Sequence, residues 1–498
     1  MILDRLQSPD ASHQERLRAQ AFALTLQNPV DFSELDEATL SQATDAKERL
    51  QLAIQKRLSQ LQHLLDNSQS PIAQVVACNS LTALVTSHWD NKTLPHVEIR
   101  NYALSFLFSQ SGNPTAPAYV CRAMTRLLSR ITKLGWLECE AHRGILRELT
   151  RFYDASLEHY AAGLHLMYDL VEEMDQPATS RRGVIRKRQF LSLALHKIFT
   201  LALETLTKLE QQAVAEPARA AMMTDAALQL GVRALSYDFL NHAGEENEAM
   251  AIAVPMSWRH DFNDPRMVDL LFGLVGRFAS YAPEQAARAL ELLLLYTNVP
   301  RSIYESLAMH AQVAPRPRPA PASIPPSSLR SMCSLRRGAC PRQVGVRLLE
   351  GIRELLTTKR GLHDAGVHHM TCRLLGSLRD ADHFGRTRKL DDYADWLDLA
   401  SNFTVAAFRD RQVPANSIHY LLQFWWRLST ATRQSSGSDL LARILAAQRE
   451  AAGGGAPEGE PEDKGLVQAL PLPRPPPSRT DWTRLVPPPV LTGHVSSQ

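Results

Sequence analysis

The chain has 498 residues, of which 44% are hydrophobic and 21% are charged, so a collagen-like or wholly disordered chain is excluded. The 55 basic residues nearly balance the 52 acidic residues. This balance argues against direct nucleic-acid binding, because nucleic-acid-binding proteins usually carry a strongly basic domain or stripe.

The N-terminal sequence MILDRLQSPD carries charge and has no apolar core segment, so we predict no signal peptide. No stretch reaches about 18 uninterrupted apolar residues, and we therefore predict no membrane insertion. The six cysteines are sparse and lack CxxC spacing, which predicts a reduced compartment, the nucleus or the cytoplasm.

Apolar residues recur along the chain with the 3.6-residue period of an amphipathic helix. We find no alternating strand pattern bounded by turn signals in the sequence, and we predict an all-α protein. The clearest helical stripes begin at Ile99, Val120, Leu164, Leu195, Leu270 and Ile418.

The predicted helices recur about every 20 to 25 residues, so that two helices give a period near ~40, which is typical of HEAT-type hairpins. One hairpin cannot bury its apolar face alone, but stacked hairpins can, and they form a solenoid (an ARM-like superhelix) with a long concave surface. A compact bundle is the alternative, but it would have to organise about 400 helical residues around a single core.

Local signals predict some helix ends. Gly135 follows Leu134 and is a predicted C-cap in the left-handed conformation, with Trp136 packing back over the helix end. Asn416 and Ser417 precede the stripe at Ile418 and are predicted N-cap residues.

Three segments interrupt the pattern. Of the 30 prolines, seven lie in 311–345 and ten in 451–498, and proline prevents a helix from running through these segments. Residues from about 451 onward are predicted to be disordered. The basic stretch Arg181–Arg188 precedes a helix and is predicted to be a solvated loop, with a nuclear-localisation or acidic-partner patch as the alternative.

We find no sequence signature of catalysis or cofactor binding. A phosphate-binding glycine loop, an HExxH helix and a nucleophile elbow are all missing from the sequence, so we predict no catalytic residue and no cofactor. The best metal candidates lack a second ligand cluster, and we predict no metal site there. They are His363, Asp364, His368, His369 and Cys372.

Several longer strings resemble a known family. They are Ile99–Leu104, Arg130–Trp136, Val254–Arg259, Ser401–Val405 and Pro414–Leu422. Their identity, order and spacing resemble the N-terminal part of the exportin-7 type of nuclear transport receptor, in the exportin branch of the importin-β (karyopherin-β) superfamily. The resemblance spans about 70–433, and RLRAQAFALTL near the N-terminus resembles the second helix of an importin N-terminal repeat.

The resemblance implies a HEAT-repeat receptor that catalyses nothing and shuttles between nucleus and cytoplasm. Its implied partners are Ran in its GTP form, protein cargo and the FG-repeat nucleoporins of the nuclear pore complex. A HEAT-repeat interaction scaffold without Ran dependence is the alternative function.

The resemblance also divides the chain. It predicts importin-β-like repeats in 1–110 and HEAT-type repeats in 111–310 and 346–433. Residues 311–345 are predicted to be a proline- and arginine-rich linker or an erroneous insert, and 434–498 a partly helical, then disordered tail. Because family members are much longer, we expect a truncated or mis-spliced gene product.

Four polar residues of the family strings lie beside apolar stripes. They are Arg100, Asn101, Arg130 and Lys133. Two roles are open for them: contact with Ran or another partner on the concave surface, or capping and solubilising the helices.

Overall fold

The structure is a computed structural model. It describes positions 3, 5 and 35 and residues 10–30, 45–68, 70–91, 94–113, 115–211, 217–240, 252–299, 341–378, 393–410 and 412–432. The chain divides into two compact units, Met1–Gln448 and Arg449–Gln498, and the second lies wholly outside the described residues. The predicted insert 311–345 and tail 434–498 also lie outside them, except that a helix begins at Pro341.

The regular elements of the described residues are helices, and no strand occurs among them. The long helices are α1 His13–Gln27, α2 Ala46–Asn67, α3 Pro71–Ser87, α4 His96–Ser111, α5 Ala118–Gly135, α6 Leu157–Asp175, α7 Arg181–Gln211, α8 Pro217–Leu235, α9 Pro265–Phe278, α10 Pro283–Thr297, α11 Pro341–Thr358, α12 Ala365–Ser377, α13 Tyr393–Arg409 and α14 Ala415–Thr432. Short helical segments, among them Thr150–Ala155 and Arg259–Phe262, lie between them.

The helices form two rows. In the second-helix row, α1, α3, α5, α6, α8, α10, α12 and α14 each pack against the next member. Helices α2, α4, α7, α9 and α13 each pack on the second-row helix that follows them in the chain, and α11 packs between α9 and α13. This arrangement confirms the predicted all-α, HEAT-type repeat solenoid. Helix α1 joins the second-helix row, in agreement with the resemblance of its sequence to a second importin helix.

One contiguous cluster of buried apolar side chains extends from Leu3 to Leu428 through the described residues. Aromatic residues at the repeat junctions contribute to it. The Trp136 ring meets the Phe190 ring edge to face, with centroids 5.3 Å apart, and the Trp258 ring stacks on Phe199 at 5.3 Å. Burial of such a side chain stabilises the fold by about 3 kcal/mol.

The prediction of a loop at Arg181–Arg188 is wrong, because this stretch is the first part of helix α7. The Ser180 hydroxyl caps the helix by accepting a hydrogen bond from the Gly183 N–H. Lys187 is only 5% exposed. Its Nζ lies 3.4 Å from an oxygen of Asp175 and 3.3 Å from an oxygen of Asp238, so these carboxylates pair with the buried charge.

Helix α7 is long and apolar enough to cross a bilayer, judged by length and composition alone. Half of its most apolar window is buried against the rest of the protein, and core helices meet the same criterion. It contains one π-helical turn, Leu191–Leu195, and packs on α8 and α9. We therefore interpret α7 as a core helix of the solenoid.

Gly135 ends α5 for a different reason from the one predicted. It does not have the positive φ of a left-handed cap; within the described residues only Lys359 and Gly361 do. Instead, a Cβ at Gly135 would lie 2.2 Å from the imidazole of His142, so glycine leaves room for this buried ring. Trp136 is 1% exposed, and its ring packs on Phe190 of α7.

Two helical glycines therefore provide a matched test. We expect Gly135→Ala to lower the free energy of unfolding by about 1 to 3 kcal/mol, because the new methyl group overlaps His142. We expect Gly276→Ala to raise it by roughly 0.5 to 1 kcal/mol, because nothing lies within 4 Å of the added Cβ. Thermal unfolding midpoints of the two variants measure both effects, and equal midpoints would contradict this role of Gly135.

Candidate functional site: a polar groove on the second-helix row

A groove of about 690 Å³ opens on the second-helix row between α3, α5 and α6. Helix α3 contributes uncharged polar groups, among them Asn79, Thr82 and Thr86. Helix α5 contributes arginines and α6 contributes carboxylates. These charged residues are Arg122, Arg126, Arg130, Asp169, Glu172 and Glu173.

The helical period places the arginines on one ridge. Arg122, Arg126 and Arg130 are four residues apart, so they follow one another along the polar face of α5. The opposite face of this helix carries the buried stripe from Val120 to Ile131. The strong segregation of apolar and polar residues fixes the rotation of α5 and turns the arginines into the groove.

One end of the groove is closed by ion pairs. Arg130 donates from Nη1 to Glu173 Oε1 at 2.8 Å and from Nε to Thr86 Oγ1 at 3.1 Å. Lys133 donates from Nζ to the Glu173 backbone oxygen at 2.6 Å, and its Nζ lies 3.1 Å from Glu173 Oε1. Burial lowers the pKa of Lys133 despite the favourable charge of Glu173. The structure thus joins Arg130 and Lys133 in one cluster that links α5 to α6.

The other end of the groove is open. Arg122, Arg126, Asp169 and Glu172 form no ion pair within 4 Å with any residue that the structure describes. Burial, with a smaller contribution from Glu172, raises the pKa of Asp169 to about 6, although Arg126 and Arg122 oppose the shift. The arginines and carboxylates of this end therefore face each other without pairing.

Arg100 and Asn101 lie apart from the groove, on α4. The Arg100 side chain is 1% exposed and donates two parallel hydrogen bonds to Glu148, with 2.7 Å from Nη2 to Oε1 and 2.9 Å from Nη1 to Oε2. Its Nη1 also donates to Asn101 Oδ1 at 2.8 Å. The burial of the Arg100 side chain and its bidentate pairing with Glu148 favour a structural role for Arg100.

The histidine–cysteine cluster after α11 is engaged in packing. His369 Nδ1 lies 2.8 Å from Ser417 Oγ, and Cys372 Sγ lies 3.6 Å from His368 Nδ1. Burial raises the pKa of Cys372 to about 12. No group of three or more metal-ligating side chains occurs within the described ranges. The N-cap prediction for Asn416 and Ser417 is wrong, since α14 begins at Ala415 and Ser417 contacts α12.

A second, apolar pocket of about 120 Å³ lies between α2 and α4. Leu58, Leu65, Ile99 and Tyr102 line it, and the Tyr102 hydroxyl donates to Asp66 at its rim, at 2.9 Å. Its size and lining suit one aliphatic or aromatic side chain of a partner.

Reasoning from the sequence missed the open end of the groove. The spacing of Arg122, Arg126 and Arg130 opposite an apolar stripe could have identified the basic ridge. No sequence signal could have placed Asp169 and Glu172 beside it, because they lie about 40 residues further on, in the next repeat.

The described residues thus form a helical-repeat protein with a charged groove on its second-helix row. No protein-family model matches the chain. The chain is 26% identical to Exportin-7-A of Xenopus laevis over 394 residues, which are 75% of this chain and 32% of that protein. It is 25% identical to Ran-binding protein 17 of Homo sapiens over 391 residues, 74% of this chain and 32% of the relative.

The similarity extends to a more distant relative, Exportin-7 of Dictyostelium discoideum, at 20% identity over 315 residues. That alignment covers 60% of this chain and 27% of the relative. The matches confirm the resemblance to the N-terminal region of exportin-7. The chain spans about a third of the length of the curated relatives it matches.

The buried and half-buried arginines should differ in their effect on stability. We expect Arg100→Ala to lower the free energy of unfolding by about 2 to 3 kcal/mol, since it removes a buried side chain and its two hydrogen bonds to Glu148. We expect Arg130→Ala to lower the free energy of unfolding by about 1 kcal/mol or less, because the Arg130 side chain is 32% exposed. Urea unfolding of both variants measures the difference, and an equal loss would refute a structural role for Arg100.

Asp169 should make stability depend on pH. Its pKa is raised in the folded state from 3.8 to about 6, so its contribution is full below about pH 4 and is lost as the pH rises through 6. Asp169→Asn keeps the neutral form. We expect the free energy of unfolding of this variant to exceed that of the wild type by roughly 1 to 2 kcal/mol above pH 7, after allowing for solvent screening, and to equal it near pH 4.

Thermal unfolding between pH 4 and pH 8 checks this expectation. Asp154→Asn, at an exposed position outside the groove, is the matched control. A difference between wild type and Asp169→Asn that stays constant with pH would argue against the raised pKa.

Proposed function

We propose that the chain acts as a nuclear export receptor, or as the N-terminal part of one. In this role it binds the GTPase Ran in its GTP form together with protein cargo, and it shuttles between nucleus and cytoplasm through the nuclear pore complex. The similarity to proteins named exportin-7 and Ran-binding protein 17 carries this proposal. It requires neither a catalytic residue nor a cofactor.

The polar groove is the surface that we assign to the GTPase. It lies among the first repeats of the second-helix row, and its open end offers exposed charges of both signs beside the half-buried Asp169. Arg130 and Lys133 hold α5 against α6 through Glu173 and so keep the groove in shape. Complementary charges at such a surface favour specificity and fast association.

Cargo and GTPase would support each other's binding through the solenoid. Each repeat contacts only its neighbours, so a ligand that favours one arrangement of adjacent repeats also favours the second ligand that needs it. A coupling of about 1 to 3 kcal/mol is typical of such linked sites.

The apolar pocket between α2 and α4 is the site that we assign to FG-repeat nucleoporins. Leu58, Leu65 and Ile99 would surround one phenylalanine side chain, and the pocket shares no lining residue with the groove. The chain could then contact the pore while the groove is occupied.

A nucleotide-dependent pull-down tests the proposed function. We expect the immobilised chain to retain Ran loaded with a non-hydrolysable GTP analogue at least tenfold better than Ran-GDP. Arg122→Glu/Arg126→Glu should abolish this preference, because both arginines face the open end of the groove. Lys197→Glu/Lys208→Glu, at exposed positions of α7, is the charge-matched control.

Equal retention of both nucleotide forms by the wild-type chain would overturn the export-receptor proposal. Partners captured without nucleotide dependence would favour a HEAT-repeat scaffold instead.

The pocket has its own test. We expect Gln62→Trp, at the exposed rim, to fill the pocket and weaken binding of a Phe-Gly repeat peptide several-fold, with Ran retention unchanged. Isothermal titration with the peptide measures the loss, and Gln62→Ala is the control. Unchanged peptide binding by Gln62→Trp would exclude this pocket as the nucleoporin site.

A further inference from the structure

Arg122 and Arg126 of the basic ridge differ from three other arginines of the second-helix row. Arg130 pairs with Glu173, Arg233 with Asp175 and Arg288 with Asp225, each across two adjacent helices. Arg122 and Arg126 are exposed and have no ion-pair partner within 4 Å among the described residues. Two adjacent guanidinium groups on one helix face are thus left available to an outside ligand.

A second observation at the same place points to a ligand. Ser129 lies between Arg126 and Arg130 in the sequence, lines the groove and is 2% exposed. Its hydroxyl has no hydrogen-bond partner in the part of the chain that the structure describes. Leaving a buried hydroxyl unpaired costs about 1 to 3 kcal/mol, and a ligand that pairs it would recover this cost.

The acidic wall lies on one side of the arginines only. Asp169 and Glu172 of α6 line the groove but form no ion pair within 4 Å with Arg122 or Arg126 among the described residues. Helix α3, on the other side of the ridge, contributes Asn79, Thr82 and Thr86 and no charge to the groove. A ligand that lies between α3 and α5 therefore reaches the two guanidinium groups from the side without carboxylates.

We propose that the groove between α3, α5 and α6 binds an acidic peptide segment of a protein partner. Its carboxylates accept charge-assisted hydrogen bonds from Arg122 and Arg126, and one of its acceptor atoms pairs with the Ser129 hydroxyl. This proposal rests on the proposed function only in treating the groove as a partner surface.

A protein segment fits this groove better than a nucleic acid. No aromatic side chain is among the described residues that line it, so bases would have no stacking platform. Asp169, Glu172 and Glu173 line the far wall and would repel a continuous row of phosphates. A short segment with two or three carboxylates can lie on the ridge and avoid that wall.

The test uses the full chain and a fluorescein-labelled ten-residue peptide of alternating glutamate and glycine, with binding followed by fluorescence anisotropy at pH 7.5 and low salt. We expect Arg122→Gln/Arg126→Gln to weaken binding at least tenfold, as the loss of two charge-assisted hydrogen bonds requires. Lys197→Gln/Lys208→Gln, away from the groove, should leave the affinity unchanged.

Two single variants sharpen the test. Ser129→Ala should weaken peptide binding about threefold without lowering the unfolding temperature, because the free protein loses no hydrogen bond. Asp169→Asn should strengthen peptide binding about twofold, since it removes a like charge from the groove.

Three results would overturn the proposal: no measurable binding of the peptide by the wild type, equal affinity of the double arginine variant, or tighter binding of a labelled ten-nucleotide RNA than of the peptide. The peptide assay contains no GTPase. If the wild-type chain binds the peptide but does not prefer Ran-GTP, the proposed function alone is rejected. If it prefers Ran-GTP but does not bind the peptide, this inference alone is rejected.

Discussion

The stacking of each second-row helix on the next is the constraint on which the structure depends. A single hairpin exposes an apolar stripe that only its neighbours can bury, so the buried cluster must be continuous from repeat to repeat. Polar side chains at the seams then have to pair across the same junctions. Lys187 does so with Asp175 and Asp238, and Arg100 does so with Glu148. These pairs, each with a buried cation, fix how adjacent repeats meet, even where an apolar pair would be as stable.

The junction between α5 and α6 has charged residues that pair at one end and charged residues that do not pair at the other. At one end Glu173 accepts from Arg130 and Lys133 and closes the seam. At the other end the same two helices carry charges that do not meet. Because α5 and α6 are neighbours in the second-helix row, the ion pairs at the closed end hold the two helices together beside the groove. The guanidinium groups of Arg122 and Arg126 lie beyond these ion pairs and are left without an ion-pair partner among the described residues.

The sequence was sufficient for what depends on local pattern, and insufficient for what depends on neighbouring repeats. Apolar periodicity predicted the stripe of α5, and the recurrence of helices, together with the family strings, predicted the solenoid. The five charges in Arg181–Arg188 suggested a solvated loop. The carboxylates that allow Lys187 to be buried belong to Asp175 and Asp238, 12 and 51 residues away, and the local sequence does not reveal them. Gly135 resembled a cap because His142, whose ring requires the glycine, belongs to the next segment. The acidic wall of the groove comes from Asp169 and Glu172 of the next repeat. The periodicity of α5 carries no information on which residues of that repeat lie beside it.

The two proposed sites and the proposed coupling between ligands depend on different lengths of the solenoid. The groove is complete within α3, α5 and α6, and the apolar pocket is formed mainly by α2 and α4, so both lie within the first repeats. Because each repeat is supported by its nearest neighbours, these sites depend on the local stack and not on distant repeats. Coupling between a GTPase and a cargo is different, since it needs both ligands to bias one arrangement of a longer solenoid. The two proposed sites therefore need only the first repeats, whereas the proposed coupling needs a longer stack of repeats.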